Sequence, residues 1–277
     1  MSIFGTIGLF VRNIPLPSSE IALYRAVLAA ILIGAFLLVT KQKIPFAKIR
    51  KEIPLLVLSG VALGFNWIFL FEAYNYIASG LATTLIFLYP VLVAIIMVFL
   101  KVVPSWQVWL SIFATFAGVI IMTQSSSGEA INPIGVLLSL GSAFVYALFI
   151  VIINRSKSIG IISNSLLTFY ALLTGAIIFL GKIMLDDTGI TTGIEGYAAW
   201  GNLIGLAVLP TIVSTSTLAI STRNIGATKA SVLGVFEPIT AILVGTLFFG
   251  ETLTTNIVVG ILIAIIAVTF MIISTKR

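Results

Sequence analysis

The chain has 277 residues, 60% of them hydrophobic and 9% charged, with a net charge of +6 and a mean hydropathy of +1.22. Soluble domains are about 45–50% apolar and about 25% charged, so this composition excludes a water-soluble fold and makes lipid the solvent. The absence of cysteine and histidine further excludes a disulfide framework, thiolate or imidazole metal sites, and nucleophilic mechanisms that need Cys or a His base.

A membrane-spanning helix needs about 20 mostly apolar residues. In chain order, the sequence predicts a short first span from Met1 to about Ile14, then spans near 19–40, 53–74, 78–100, 105–124, 132–153, 162–183, 197–221, 227–249 and 255–274. The breaks have local causes: Pro15 and Pro17, the charged run from Lys41 to Glu52, Pro104, Ser125 to Gly128, Arg155 to Lys157, and Asp186 to Gly196. The weakest breaks fall near 75–77 and 222–226. The first span is too short to cross about 30 Å of hydrocarbon at 1.5 Å per residue, and no basic n-region marks it as a signal peptide. It reads as the second half of a helix whose start precedes Met1, a truncated first helix.

Placing the N-terminus inside puts Lys41, Lys43, Lys48, Arg50, Lys51, Lys101, Arg155, Lys157, Arg223, Lys229, Lys276 and Arg277 in inner loops. Only Arg12 and Lys182 fall outside, and Glu20, Glu129, Asp186, Asp187, Glu195 and Glu251 gather there. The positive-inside bias therefore predicts ten helices with both termini cytoplasmic, in a prokaryotic cytoplasmic membrane. The charge is explained by orientation in the bilayer. A basic groove interleaved with aromatics is absent, so no nucleic-acid partner is expected.

The chain also repeats itself. At an offset of 148, Leu70 meets Leu218, Ile77 meets Ile225, Ala82 meets Ala230, Leu85 meets Leu233 and Pro90 meets Pro238, with Ser79 against Ala227 and Thr83 against Ser231. Residues 1–124 and 132–274 form two five-helix repeats. The odd helix number inverts the second relative to the first, as in secondary transporters with a midplane site between the halves.

Phe4-Gly5, Ile7-Gly8 and the run Glu20 to Arg25 resemble the first repeat of EamA-type transporters of the drug/metabolite transporter superfamily. Phe236-Glu237-Pro238 followed by Phe249-Gly250-Glu251 is similar to the second-repeat signature. The first half carries Lys101-Val102 where the second has Gly250-Glu251, so one glutamate usual in that family is absent. The resemblance covers essentially the whole chain. It implies an all-α integral membrane protein of ten helices with a central cavity, often exporting amino acids or related metabolites.

Candidate site residues are polar or aromatic groups at membrane depth. Glu237 is the most informative, because a carboxylate inside a span normally faces protein or a cavity. It would hold a cationic group, serve as a proton-coupling site, or brace the break at Pro238. Arg25 would attract a substrate carboxylate, snorkel to the outer interface, or pair with Glu20 or Glu72. In the third span Trp67, Phe71 and Tyr74 share a face at helical spacing. Asn66 and Trp67 lie deep enough to line a cavity, whereas Tyr74 and Tyr76 are read as interfacial belt. Tyr89 occupies before Pro90 the slot that Glu237 fills before Pro238, and Phe87 and Tyr146 add aromatic surface. In Ser214 to Thr217, Thr215 is the cavity candidate; the other hydroxyls are expected to bond carbonyls one turn back or to join helices. Gly226, Gly234 and Gly245, with Ala230, suggest close helix approach.

Three functions follow in order. The first is a secondary transporter exporting amino acids or related compounds by alternating access, its substrate-binding set being Asn66, Trp67, Phe87, Tyr89, Tyr146, Thr215 and Glu237, with Arg25 and Glu237 as coupling or charge sites. The second is a carrier of organic cations such as quaternary ammonium compounds. The third, distant, is a lipid enzyme, disfavoured because clustered acids and a Gly-x-Ser-x-Gly elbow are missing. No P-loop is present, so ATP is not the direct energy source. No cofactor and no metal are expected, and the partners are a small-molecule substrate and the bilayer.

Overall fold

The computed structural model describes residues 2–11, 13–41, 50, 53–77, 82, 85–123, 132–155, 163–185, 194, 196–250 and 253–274. Arg12, Lys43, Lys48, Lys51, Ser79, Thr83, Ser125 to Glu129, Lys157, Asp186, Asp187, Glu195, Glu251, Lys276 and Arg277 lie outside the described residues. The described chain is helical. Seven helices are long and apolar enough to cross a membrane: α2 (Ser19–Val39), α3 (Ile53–Ala73), α6 (Pro133–Asn154), α7 (Asn164–Leu185), α8 (Tyr197–Ile225), α9 (Ala227–Phe249) and α10 (Thr255–Ser274). Three shorter apolar helices complete the order, α1 (Ser2–Val11), α4 (Tyr89–Phe99) and α5 (Trp106–Ile121). The protein is an all-α integral membrane protein.

Local chemistry explains where the helices start, stop and bend. Pro17 precedes α2, and Glu20 sits in its first turn, where a carboxylate complements the helix dipole. At the other end the Thr40 hydroxyl donates to the Phe36 carbonyl at 2.7 Å. Pro90 lies in the first turn of α4, where its missing N–H costs nothing. In α8, Pro210 cannot donate to Leu206. The helix widens to a π segment over Ala207–Val213, and the Thr211 hydroxyl donates to the Leu206 carbonyl at 2.8 Å. α9 tightens to 3₁₀ geometry over Leu233–Val235, just before Glu237 and Pro238, and ends on Gly250 in a left-handed conformation.

Two predicted spans are corrected. In the span expected near 78–100, Ala82, Leu85 and Ile86 are helical, Phe87 and Leu88 form a turn ahead of Pro90, and a continuous helix follows from Tyr89 to Phe99. The span expected to end at 221 continues to Ile225, where Gly226 stops it at φ 89°. Gly226 was expected to serve close packing. A Cβ there would meet nothing within 4 Å, so this glycine is present for its backbone conformation.

Helices pack in pairs that position the centre of the protein. α5 lies along α10, α2 along α7, and α3 against both α6 and α7. α4 touches α6 and the first part of α9, while α1 contacts α9 and α8. The α5–α10 contact is close: a Cβ on Gly118 would come within 2.8 Å of the Gly260 carbonyl oxygen. The outward faces remain apolar, with Phe36, Leu137, Ile177, Leu247, Phe248 and Ile266 exposed, as a lipid-facing surface requires.

At the junction of α4 with α9 the backbones approach closely. Tyr89 is 2% exposed and its hydroxyl donates to the Ser231 carbonyl at 3.0 Å. Gly234 faces that hydroxyl, and a Cβ there would collide with it. Gly234→Ala is therefore expected to destabilise the protein by about 1–3 kcal/mol, the usual cost of overpacking. In a Tyr89→Phe background the cost of the same change should shrink. Thermal unfolding of the four purified variants in detergent reads this coupling, and equal costs in both backgrounds would contradict the contact.

Candidate functional site

A cavity of about 250 Å³ lies among the helices, lined by residues from α1, α2, α3, α4, α6, α8 and α9 together with the turn before α4. It gathers all eight residues singled out in the sequence: Arg25, Asn66, Trp67, Phe87, Tyr89, Tyr146, Thr215 and Glu237.

The α3 wall is a helical stripe. Leu63, Asn66, Trp67, Leu70, Phe71 and Tyr74 recur at three- and four-residue steps and all face the cavity. Tyr74 was expected in the interfacial belt. It lines the cavity and is 36% exposed, which places it at the rim. Asn66 is oriented from the neighbouring helix, because the Ser142 hydroxyl lies 2.9 Å from Asn66 Oδ1 and 2.8 Å from its carbonyl oxygen.

Arg25 neither snorkels outward nor pairs with Glu72. It is buried, and its guanidinium carbon lies 3.7 Å from the centroid of the Trp67 ring. That geometry is a cation–π contact in a desolvated setting. Trp67 is itself held from behind by stacking on Phe179, at 6.0 Å between centroids. Glu72 forms an ion pair with Lys182 at 3.5 Å. The Arg25 Nε is buried and makes no hydrogen bond among the described residues, leaving the guanidinium anchored by a ring face.

Glu237 enters from α9 through the irregular stretch before Pro238. Two residues beyond Pro238 the Thr240 hydroxyl donates to the Phe236 carbonyl one turn back, at 2.7 Å. The Glu237 carboxylate is left on the cavity wall, half-buried. Arg25 and Glu237 thus put opposite charges on one cavity whose remaining lining is mainly aromatic and aliphatic.

The aromatic corner is rigid. Tyr89 and Tyr146 meet edge to face at 4.8 Å, Phe87 lies 6.0 Å from Tyr89, and Tyr146 stacks on Phe149 at 6.2 Å. Tyr89 offers its ring rather than its hydroxyl, which is engaged by Ser231. Among the hydroxyls of α8, Thr217 donates to the Val213 carbonyl one turn back at 2.7 Å, Ser216 lies 3.4 Å from Thr168 on α7, and Thr215 reaches the cavity. Thr215 Oγ1 is buried and has no hydrogen-bond partner among the described residues.

Sequence reasoning missed Phe4, Ile7, Leu63, Leu70, Phe149 and Leu218 as cavity residues. Leu63 and Leu70 were recoverable from the Asn66 stripe, and Phe149 from its three-residue step beyond Tyr146. Phe4 and Ile7 carried no such signal, because a ten-residue helix does not reveal which neighbour covers it. Ser142 was invisible for the same reason: only packing of α6 on α3 brings it to Asn66.

The sequence model of the EamA-like transporter family matches twice, over residues 1–124 and 133–273. Among curated proteins the chain is 23% identical to the Uncharacterized transporter YdfC of Bacillus subtilis, covering 91% of this chain and 80% of that one. It is 27% identical to YxxF of the same organism, an Uncharacterized transporter, over 90% and 79% of the two chains. An Uncharacterized transporter of Archaeoglobus fulgidus is 26% identical over 93% and 88%. The fold superposes on one chain solved by crystallography with a TM-score of 0.83 at 15% identity, over 99% of this chain and 95% of the other. With both segments matched, the chain belongs to the EamA-like transporter family.

Proposed function

We propose that this membrane transporter exports amino acids or closely related zwitterions by alternating access. The observation that carries the reading is the placement of Arg25 and Glu237 on one cavity, walled otherwise by rings and aliphatic chains. A zwitterion would set its carboxylate toward Arg25 and its ammonium toward Glu237, compensating both charges at a depth where an isolated charge is costly. Asn66 and Thr215 would add hydrogen bonds, and Phe87, Tyr89 and Tyr146 would contact an apolar side chain. The volume, about 250 Å³, lies below the roughly 300–1,000 Å³ of sites for drug-sized ligands, which favours a molecule of amino-acid size.

The transport cycle in this reading is a rocking of residues 1–124 against residues 132–274, two inverted five-helix halves with both termini cytoplasmic. Support comes from the packing pairs. Exchange of the halves turns the α1–α9 contact into α6–α4 and the α3–α7 contact into α8–α2, while α5–α10 and α2–α7 map onto themselves. Glu237 is the natural coupling group, since it is the carboxylate on the cavity.

Reconstituted protein should accumulate labelled amino acid against its gradient when a proton gradient is imposed. Glu237→Gln should lose that concentrative step and its dependence on the pH gradient. Full accumulation by the variant, with unchanged pH dependence, would remove Glu237 from coupling. A labelled quaternary ammonium carried in preference to any amino acid would instead support the organic-cation reading, which the carboxylate and aromatic wall also motivate.

Orientation is tested separately, because the chain contains no cysteine of its own. Asn13→Cys should react with an impermeant maleimide on intact cells, and Ser105→Cys only after permeabilisation. The opposite pattern would invert the proposed topology.

A further inference from the structure

We infer that Arg25 is the specificity switch of the cavity: lying on the face of Trp67, it fills from within the seat an organic cation would take, and so restricts the cavity to ligands that bring a carboxylate. This inference rests on the transport reading above for its setting, and adds the residue that decides the charge class of the ligand.

The argument begins with what the cavity would be without the guanidinium. Its wall holds a tryptophan, several tyrosine and phenylalanine rings, and one carboxylate. Aromatic faces with an acid nearby are the chemistry that recognises quaternary ammonium groups. Trp is the strongest of these faces, and Trp67 is rigidly backed by Phe179 at 6.0 Å. A face of that ring is already taken on the cavity wall, because the Arg25 guanidinium carbon lies 3.7 Å from the ring centroid and both residues line the cavity.

Two effects then act against a cationic ligand. The preferred π face is already occupied by a cation covalently part of the protein, which a ligand cation would have to displace. The Arg25 charge also offsets that of Glu237, so a purely cationic ligand meets a like charge as well as an opposite one. A zwitterion escapes both problems because its carboxylate faces the guanidinium. Among the described residues Arg25 has no bidentate carboxylate partner and its Nε makes no hydrogen bond. The anchoring by a ring face holds the fork in place while leaving donor capacity for an external acid.

Removal of the guanidinium should therefore produce a gain and not merely a loss. In Arg25→Ala the Trp67 face opens and Glu237 remains as the charge on the cavity wall. Purified native and variant proteins are titrated with tetramethylammonium and, in parallel, with a panel of zwitterionic amino acids, reading melting temperature as a function of ligand concentration. The native protein should respond to an amino acid and not to tetramethylammonium. Arg25→Ala should lose the amino-acid response and bind tetramethylammonium at least about tenfold more tightly than the native protein does, in line with a desolvated cation–π contact. Trp67→Leu in the Arg25→Ala background should abolish the gain.

Arg25→Ser, small enough to leave the Trp67 face open, provides the same readout if the alanine variant does not fold. Tetramethylammonium binding by the native protein as tight as by the variants would overturn the inference. So would its absence from both variants, or its survival in the Trp67→Leu double variant. Failure of the native protein to bind any amino acid is the separate result that would defeat the transport reading, whereas the gain of cation binding is scored on the variants.

Discussion

A guanidinium resting on a tryptophan, in a cavity shared with a carboxylate, is the contact on which the interior of this protein turns. Helices in a bilayer cannot leave charge facing hydrocarbon. Arg25 and Glu237 are brought from α2 and α9 to the wall of a common cavity, where each reduces the cost of the other. The aromatic lining serves two purposes in that setting. It supplies π faces for the cation and excludes competing polar partners, which strengthens every electrostatic contact inside. The rest of the fold can be seen as what is needed to bring those two side chains to one cavity.

Irregular backbone is concentrated around the same cavity. Thr215 follows the π segment that accommodates Pro210, and Glu237 follows the 3₁₀ turn at Leu233–Val235. Tyr89 opens α4 after a turn at Phe87 and Leu88. A regular helix would carry these side chains around on a fixed 3.6-residue period. Local widening or tightening re-aims them, and the stranded carbonyls are met by threonine hydroxyls such as that of Thr211 on Leu206. The long regular helices, by contrast, mostly contribute packing. α5 and α10 meet through Gly118 and Gly260 and contribute no side chain to the cavity.

Much of this was legible in the sequence, for identifiable reasons. Span positions follow from hydropathy over about 20 residues, a signal too strong for packing to override, so α2, α3, α5, α6, α7 and α10 fell near their expected bounds. Glu237 and Asn66 stood out because a polar group at membrane depth needs a reason to be there. Arg25 was harder. Its burial could not be read from α2 alone, since snorkelling and pairing with Glu72 fit the sequence equally well. The outcome was decided by Trp67 on another helix and by Lys182, which takes Glu72 for itself. Interhelical choices of this kind depend on which faces meet, and apolar periodicity does not encode that.

The central claim is that the cavity reads both charges of its ligand at once, through Arg25 and Glu237. It is tested most directly by comparing one amino acid with its two singly charged analogues, the decarboxylated amine and the deaminated acid, in calorimetric titrations of the native protein. The account predicts measurable binding of the zwitterion and a loss of at least about tenfold for each analogue, since either one leaves a buried charge without its partner. Binding of the amine as tightly as the amino acid would contradict it, because the guanidinium on Trp67 would then have no part in recognition.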